Sequence, residues 1–297
     1  MPPAPPPEPA PVIIPVRSRR QAMDWSLALI SQGISATIKH EAGGSGWYLE
    51  VSAQDGQKAF QTLRQYHQEN RGWPWQNAIP WPAAHFDWTS LAWAVLLAWL
   101  FWLGSVNPDF KGAGIMDTSA VLAGQWWRVF TAITLHADIA HLAGNLSIGV
   151  LLFGLAMGRF GTGAGSLAAF LAGAAGNLAS LLINAKPFYG LGASGMVMGA
   201  LGMLSAQTLR WSGPSAGTLK QRLAGVAAGI MLFALYGLAP GTDMAAHLGG
   251  FVAGLLLGAG LVFAPTKYLH SRETNLVTGF LLLALLGVSW GLALSHH

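Results

Sequence analysis

Seven apolar runs occupy most of the chain after residue 87. Each is about the length needed to cross a ~30 Å hydrocarbon core, although the fourth and fifth are short. The pattern predicts an all-α polytopic membrane protein, a helical bundle with seven transmembrane helices. The runs lie at residues 88–106, 141–160, 163–184, 194–210, 223–240, 245–264 and 275–294.

A different pattern precedes these runs. Apolar residues recur at helical spacing in two segments and alternate as in β-strands in two others, so we expect a small soluble α+β domain over residues 13–72. The predicted helices cover 18–32 and 55–70, and the predicted strands cover 34–40 and 46–52, on either side of a turn at Gly43-Gly44.

Proline-rich segments flank this domain. Residues 1–12 form a tail that cannot make helix or sheet ladders, and they lack the basic and apolar regions of a signal peptide. Residues 73–87 form a linker that is also rich in Trp, a residue that favours the membrane–water interface.

The basic residues give the apolar runs an orientation. If the N-terminal domain is cytoplasmic, only Lys111, Arg128 and Lys186 lie outside, which leaves 13 of the 16 Lys and Arg residues inside. Because inside loops carry the excess of Lys and Arg, the N-terminus is predicted to be cytoplasmic. After seven crossings the C-terminus lies outside, and the predicted location is a bacterial inner membrane.

Composition agrees with a membrane protein and excludes several other classes. Only 9% of the residues are charged, whereas a soluble domain carries about a quarter. The 38 glycines suit closely packed transmembrane helices. The absence of cysteine excludes disulfides, thiolate catalysis and Cys-based metal sites. The net charge of +4 is explained by the orientation of the loops, so we predict no nucleic-acid partner.

Four polar side chains open three of the apolar runs. They are His141 and Asn145 in the second run, Ser194 in the fourth and His247 in the sixth. In the predicted topology these runs all go from outside to inside, so the four side chains lie at one depth below the outer surface. Intramembrane ionisable groups are costly and usually functional. A hydroxyl, an imidazole and two further hydrogen-bond donors are the minimum set for a serine hydrolase.

The surroundings of Ser194 favour a nucleophile. The pattern Gly-x-Ser-Gly is weak by itself, because residues 43–46 match it too, in a predicted turn. Glycines in the loop before Ser194, however, let backbone N–H groups approach a carbonyl. Small residues at four-residue spacing, Gly195 and Gly199 in one run and Gly250, Gly254 and Gly258 in the other, would bring Ser194 and His247 together. The alternatives are a back-bonded helix serine and a structural or proton-relay histidine.

His141 and Asn145 are four residues apart and share one helix face, so both can donate to a developing oxyanion. The alternative is an interhelical contact, an interpretation that we adopt for Asn177 and Asn184. We interpret His136, at the loop boundary, as ordering the turn. Apart from Asp138 and Asp243 no carboxylate lies near these histidines, so we predict neither zinc nor another cofactor.

These residues resemble the rhomboid intramembrane serine proteases. The shared features run from about Trp126 to Gly258. They are Trp127-Arg128, the spacing of His136, His141 and Asn145, the stretch Gly192-Ala193-Ser194-Gly195, and Ala246-His247 followed by Gly250. The resemblance implies a Ser194–His247 dyad without an Asp. It also implies an oxyanion hole formed by His141, Asn145 and the backbone N–H of Ser194.

The resemblance further implies an architecture and a substrate class. Residues 88–264 are similar to the family's six-helix core, and residues 265–297 add a loop and one C-terminal helix. Residues 13–72 are similar in placement to the cytoplasmic domain of some bacterial members. The implied partners are the lipid bilayer and single-span membrane proteins, cut near their outer membrane boundary. Many bacterial relatives carry an aromatic residue at the position of Met198. A thioether also packs against imidazole, so we expect activity to survive.

Three functions are open for a chain with these residues. The first is an intramembrane serine endopeptidase in which His247 takes the proton of Ser194 and residues 107–140 flank substrate access. The second is a non-proteolytic relative that binds transmembrane segments, against which the intact Ser194 and His247 argue. The third, a proton-coupled transporter, predicts carboxylates at mid-membrane, and no Asp or Glu lies in the core of any apolar run.

Overall fold

The structure, a computed structural model, describes residues 9–40, 46–71, 85–184, 187–210, 219–238 and 242–296. Contacts divide the chain into two compact units, Met1–Ile79 and Pro80–His297, and each is described by itself. The predicted turn at Gly43-Gly44 and residues 73–84 of the predicted linker lie outside the described residues.

The first unit is a three-stranded antiparallel sheet with two helices. Its elements are β1 (Val12–Val16), α1 (Arg19–Ser31), β2 (Ala36–His40), β3 (Trp47–Val51) and α2 (Gly56–Glu69), and the strand order is β1-β3-β2. Both predicted helices and both predicted strands are confirmed. The core is formed by buried apolar side chains of sheet and helices, among them Ile14, Leu29, Ile34, Leu49 and Leu63.

The strand β1 was not predicted. It includes Val12, the last residue of the Pro-rich tail, which pairs with Val51 of β3. The expectation that residues 1–12 make no sheet ladder is therefore wrong at this position. Pro15 obscured the strand in the sequence. It is tolerated here because β1 is an edge strand, where one row of backbone groups needs no partner.

The second unit is helical. Two short strands, β4 (Met116–Asp117) and β5 (Tyr189–Gly190), pair antiparallel within it, and 3-10 turns occur at Ala132–Thr134 and Gln207–Arg210. The helices are α3 (Ser90–Val106), α4 (Pro108–Gly114), α5 (Thr118–Leu122), α6 (Arg128–Thr131), α7 (Ile139–Phe160), α8 (Thr162–Ile183), α9 (Ser194–Ala206), α10 (Leu219–Gly237), α11 (Met244–Phe263), α12 (Thr266–Leu269) and α13 (Arg272–Ser295).

Within the described ranges, four helices are long and apolar enough to cross a membrane: α7, α8, α11 and α13. A fifth span results if α3 and α4 are counted together, although their axes are bent by 120°. The apolar part of α10 is Leu223–Gly237, and α9 has only 13 residues, fewer than the ~20 that a full crossing needs. The prediction of several membrane-crossing helices is confirmed, whereas the count of seven stays a prediction.

The bend between α3 and α4 has a local cause. The side chain of Asn107 accepts hydrogen bonds from the backbone N–H groups of Asp109 and Phe110 at 3.1 and 3.2 Å, so it caps a new helix. Pro108 at the first position of α4 suits a helix start and disfavours helical geometry at the residue before it. The chain therefore turns sharply where the first apolar run ends.

Helix α9 lies at the centre of the second unit and packs against α7, α8, α10 and α11. Its crossing with α11 is so close that backbone meets backbone. A Cβ on Gly250 would overlap the carbonyl oxygen of Gly195, and one on Gly254 would overlap that of Gly199. The predicted close approach of the fourth and sixth runs is thus confirmed.

Candidate active site

Ser194 is the first residue of α9 and follows a loop that is fixed by backbone hydrogen bonds. The pairing of β5 with β4 holds one end of this loop, and the N–H of Gly192 donates to the carbonyl oxygen of Ala132 at 2.9 Å. Gly192 has a φ of +133°, a conformation that favours glycine. The loop therefore presents Ser194 from a defined backbone position.

His141 lies beside this loop. It is the third residue of α7, whose N-cap residue Asp138 accepts a hydrogen bond from the His141 N–H at 2.8 Å. A Cβ added to Gly192 would lie 2.8 Å from both Cε1 and Nε2 of His141 and 3.8 Å from the Ser194 hydroxyl oxygen. The imidazole and the hydroxyl thus flank the same small space, and the oxyanion hole stays a prediction.

Asn145 follows one turn later on α7 and is buried. Its side-chain nitrogen donates to the carbonyl oxygen of His141 at 3.0 Å. An amide NH₂ group carries two donor hydrogens, so one of them remains for another acceptor. The structure therefore brings Asn145 next to His141, while its donation to an oxyanion stays a prediction.

His136 packs against His141 and makes no hydrogen bond to the turn. It is 2% exposed, its ring centroid lies 5.2 Å from that of His141, and neither ring nitrogen has a hydrogen-bond partner within the part of the chain that the structure describes. Burial, reinforced by the neighbouring His141, lowers the pKa of His136 to about 4. His136 is thus a neutral imidazole at neutral pH that packs against His141, and its role in ordering the turn stays a prediction.

His247 is the fourth residue of α11 and is buried. Its Nδ1 atom lies 2.7 Å from the carbonyl oxygen of Gly237, the last residue of α10. Because a carbonyl only accepts, Nδ1 must carry the proton, and in the neutral ring Nε2 is then an acceptor. Gly237 is not among the site residues that the sequence predicts. Gly237 lies inside the fifth apolar run and ends α10, and its only signal in the sequence is that glycine is typical of helix ends.

Asp243 fixes the start of α11. One carboxylate oxygen accepts hydrogen bonds from the Ala246 N–H at 3.1 Å and from the Asn184 amide at 3.3 Å, and the other accepts from the hydroxyl of Ser180 on α8. Sequence reasoning considered Asp243 only as a metal ligand. An Asp just before an apolar run is an N-cap signal, and Asp138 before α7 shows it as well.

Both asparagines that were interpreted as interhelical contacts have that role. Asn184 donates to Asp243, and the side chain of Asn177 donates to the carbonyl oxygen of Val129 at 2.7 Å. These bonds tie α8 to the start of α11 and to α6. They stabilise the helices around the site without facing it.

Ser194 and His247 are brought close through their neighbours. A Cβ on Gly195 would lie 3.4 Å from the carbonyl oxygen of Ala246, so the residue after the serine faces the residue before the histidine. Among the hydrogen bonds of the described residues, none joins the Ser194 hydroxyl to His247. Catalytic hydrogen bonds often shorten only when substrate binds. The dyad is therefore a prediction that the backbone geometry supports.

Two further positions named from the sequence are structural in character. Arg128 donates to the carbonyl oxygens of Gly112 and Ile115 at 2.9 and 2.7 Å. These bonds hold together parts of the segment before α7. Met198 is buried in the core, and its contact with the His247 ring stays a prediction. No three His, Asp or Glu side chains in the described ranges are grouped so that they could hold a metal ion.

Comparison with known proteins places these residues within one family. The family model described as "Rhomboid domain" matches residues 123–263. The chain is 31% identical over 184 residues to RHOMBOID-like protein 1 of Arabidopsis thaliana, covering 60% of this chain and 45% of that protein. It is 31% identical over 189 residues to Rhomboid protease GluP of Bacillus subtilis, covering 61% and 35% respectively. With YdcA of Bacillus subtilis the identity is 30% over 145 residues, covering 46% of this chain and 68% of that protein.

The matched region contains Ser194, His247, His141 and Asn145. It ends before α13 and begins after the first unit, so both terminal parts lie outside it. The chain spans less than half the length of the first two of these relatives.

Proposed function

The chain belongs to the rhomboid family, and from this premise we propose that it is an intramembrane serine endopeptidase. It cleaves single-span membrane proteins near their outer membrane boundary through a Ser194–His247 dyad. One observation carries the proposal: the Ser194 hydroxyl and the His141 imidazole flank the same space beside Gly192. The glycine crossing of α9 and α11 brings the oriented His247 to the same end of α9.

The chemistry follows from the hydrogen bonds of His247. With Nδ1–H donated to Gly237, Nε2 accepts the proton of Ser194 as the hydroxyl oxygen attacks the scissile carbonyl. The same nitrogen then returns the proton to the leaving amine, and water hydrolyses the acyl-enzyme. The C-terminal end of α10 favours positive charge at its carbonyl groups, so Gly237 also stabilises the imidazolium that forms.

A second set of groups, separate from His247, stabilises the oxyanion. His141, the second amide hydrogen of Asn145 and the backbone N–H of Ser194 donate to it. The positive potential at the N-terminus of α9 adds to these donors because Ser194 is the first residue of that helix. The task of this group is to stabilise the negative charge that develops on the carbonyl oxygen in the transition state.

The proposal includes the topology. Helices α3, α9 and α10 join the four long helices to make seven crossings, with the N-terminus cytoplasmic and the C-terminus outside, in a bacterial inner membrane. The helical core is residues 88–264, and α13 is the added helix. Residues 107–140, which run from the end of α3 into the first turn of α7, flank the access of transmembrane substrates from the bilayer. The soluble domain of residues 13–72 lies on the cytoplasmic side.

A non-proteolytic member that binds transmembrane segments is the second candidate. It is favoured by one observation, namely that no hydrogen bond joins Ser194 to His247 among the described residues. Such a protein would bind the same transmembrane segments without forming an acyl-enzyme. The two candidates therefore differ in whether Ser194 is chemically reactive.

The test is labelling of the full-length protein in detergent with a serine-directed fluorophosphonate, together with cleavage of a single-span model substrate. The proposal expects labelling and cleavage by the wild type and neither by Ser194→Ala. Ser205→Ala, on the same helix with its hydroxyl bonded to the Leu201 carbonyl, is the matched control and should retain both. Binding of the substrate without labelling of Ser194 would establish the second candidate instead.

A further inference from the structure

Trp290, near the C-terminal end of α13, is enclosed by the segment that precedes α7. It is 9% exposed, and its ring stacks on that of Phe110 with centroids 4.2 Å apart and planes at 5°. A Cβ on Gly114 would lie 2.5 Å from Cη2 of Trp290, so the α4 backbone rests directly on the indole. The last helix thus holds residues far from it in sequence.

The indole nitrogen begins a buried chain of hydrogen bonds. It donates to the Thr134 hydroxyl oxygen at 3.2 Å, and that hydroxyl donates to the Thr131 carbonyl oxygen at 2.7 Å. The Thr131 hydroxyl in turn donates to the carbonyl oxygen of Gly114 at 2.7 Å. Both threonines are fully buried. Removing the partner of a buried polar group lowers the stability of the fold, because no water takes the partner's place.

The same turn holds the nucleophile loop on its other side. The carbonyl oxygen of Ala132, at the start of the turn Ala132–Thr134, accepts the N–H of Gly192 at 2.9 Å. Gly192 is two residues before Ser194, and its Cα faces the His141 ring. One three-residue turn therefore connects Trp290 of α13 with the loop that presents Ser194.

We propose that Trp290 is a positioning residue for Ser194, acting through the turn Ala132–Thr134. The catalytic consequence rests on the proposed function, whereas the positioning does not. A displacement of about 1 Å at a reacting group can cost about 10²-fold in rate, so a modest shift of this turn is sufficient. On this account α13, outside the matched family region, is required for the geometry of the site rather than only for anchoring.

The experiment compares Trp290→Phe, which keeps an aromatic ring on Phe110 but removes the indole N–H, with Thr134→Val, which removes the acceptor. Trp102→Phe, on the exposed surface of α3, is the control. Amide hydrogen exchange of peptides that contain Gly192 is measured in the full-length protein in detergent. Loss of one buried hydrogen bond should speed this exchange about three- to tenfold in both variants, and not in the control.

Kinetics with a model substrate provide the second measurement. We expect kcat to fall by about the same factor in both variants while KM changes less than about twofold, because binding residues are untouched. Unchanged exchange at Gly192 together with unchanged kcat would overturn the proposal. A lower melting temperature with normal exchange and normal activity per molecule would overturn it too, since Trp290 would then be a simple packing contact.

The outcomes also separate this proposal from the proposed function. If the wild type neither labels with fluorophosphonate nor cleaves, the protease assignment fails, and the exchange of Gly192 still decides whether Trp290 positions the loop. If Trp290→Phe does not fold, Thr134→Val carries the test, since valine has nearly the same volume as threonine.

Discussion

The Nδ1 atom of His247 lies 2.7 Å from the carbonyl oxygen of Gly237. In serine hydrolases with a triad, a carboxylate holds the imidazole in the tautomer that accepts the serine proton. In the proposed Ser194–His247 dyad a backbone carbonyl at the end of α10 takes the place of that carboxylate and carries only a partial charge. The orientation of the base therefore depends on where one helix ends, and a side-chain substitution cannot remove it directly.

The dyad predicts a pattern of non-additive losses. His247→Ala should lower kcat about 10²- to 10⁴-fold, because no carboxylate can replace it as general base. Since the two residues act as a unit, Ser194→Ala combined with His247→Ala should be little worse than either variant alone. Initial rates on a single-span substrate check this. Losses that multiply in the double variant would show that the residues act separately.

The oxyanion hole predicts an effect on turnover rather than on binding. Asn145→Ala should lower kcat about 10²- to 10³-fold with KM nearly unchanged, and His141→Ala should behave similarly. Asn177→Ala is the control, because Asn177 bonds Val129 away from the site and should affect the melting temperature alone. If Asn145→Ala behaves like Asn177→Ala, then Asn145 is a helix contact.

The backbone at Gly192 predicts a strong asymmetry between two glycine substitutions. Gly192→Ala places a Cβ 2.8 Å from His141 at a φ of +133°, and strained positions of this kind cost about 1–3 kcal/mol. Gly144→Ala, on α7 with nothing within 4 Å of the new atom, should be neutral or slightly stabilising. Thermal unfolding and cleavage rates measure both. A normal Gly192→Ala protein would contradict the described loop.

His136 predicts that the fold weakens in acid. Its pKa is about 4 in the folded protein and about 6.5 when unfolded. The unfolded state therefore binds more protons between these values, so stability rises with pH across this window. Acidification should cost up to about 3 kcal/mol, beginning below pH 6.5 and complete below about pH 4. The measurement is the melting temperature in detergent against pH.

His136→Gln is the comparison for that measurement, because glutamine is similar in size and does not titrate. Other groups change charge in both proteins, so the difference between the two curves isolates His136. The variant should lose less stability than the wild type on acidification. Parallel curves would mean that His136 is hydrated and titrates normally.

The starts of α7, α9 and α11 could be predicted from the sequence, because a polar residue at the beginning of an apolar run is a local signal. His141, Ser194 and His247 all lie within the first turn of their helices as expected. Glycine spacing predicted the crossing of α9 and α11 because small residues at four-residue intervals have few other uses in apolar helices. Alternation predicted β2 and β3 for a similar reason.

What escaped prediction depends on contacts between distant segments. The hydrogen bond that His247 donates to the Gly237 carbonyl oxygen joins two helices, and the sequence does not show which backbone carbonyl a side chain contacts. The fourth run is an α-helix to Ala206 that continues as a 3-10 helix to Arg210, and hydropathy does not distinguish the two helix types. The role of Trp290 depends on a turn more than 150 residues earlier, since Thr134 is 156 positions away. The strand β1 was hidden by Pro15.

The glycine contacts where α9 and α11 cross fix the position of one helix along the other. The backbones of the two helices are in contact where Gly195 meets Gly250 and where Gly199 meets Gly254. If one helix moved along the other, a residue with a side chain would replace a glycine at these contacts and would overlap the opposite main chain. The proposed nucleophile and the proposed base therefore lie on two helices whose relative position is fixed by these glycine contacts. Laboratory evolution of this protein toward new substrates should then leave that pair of helices invariant and draw its variation from the surfaces around it.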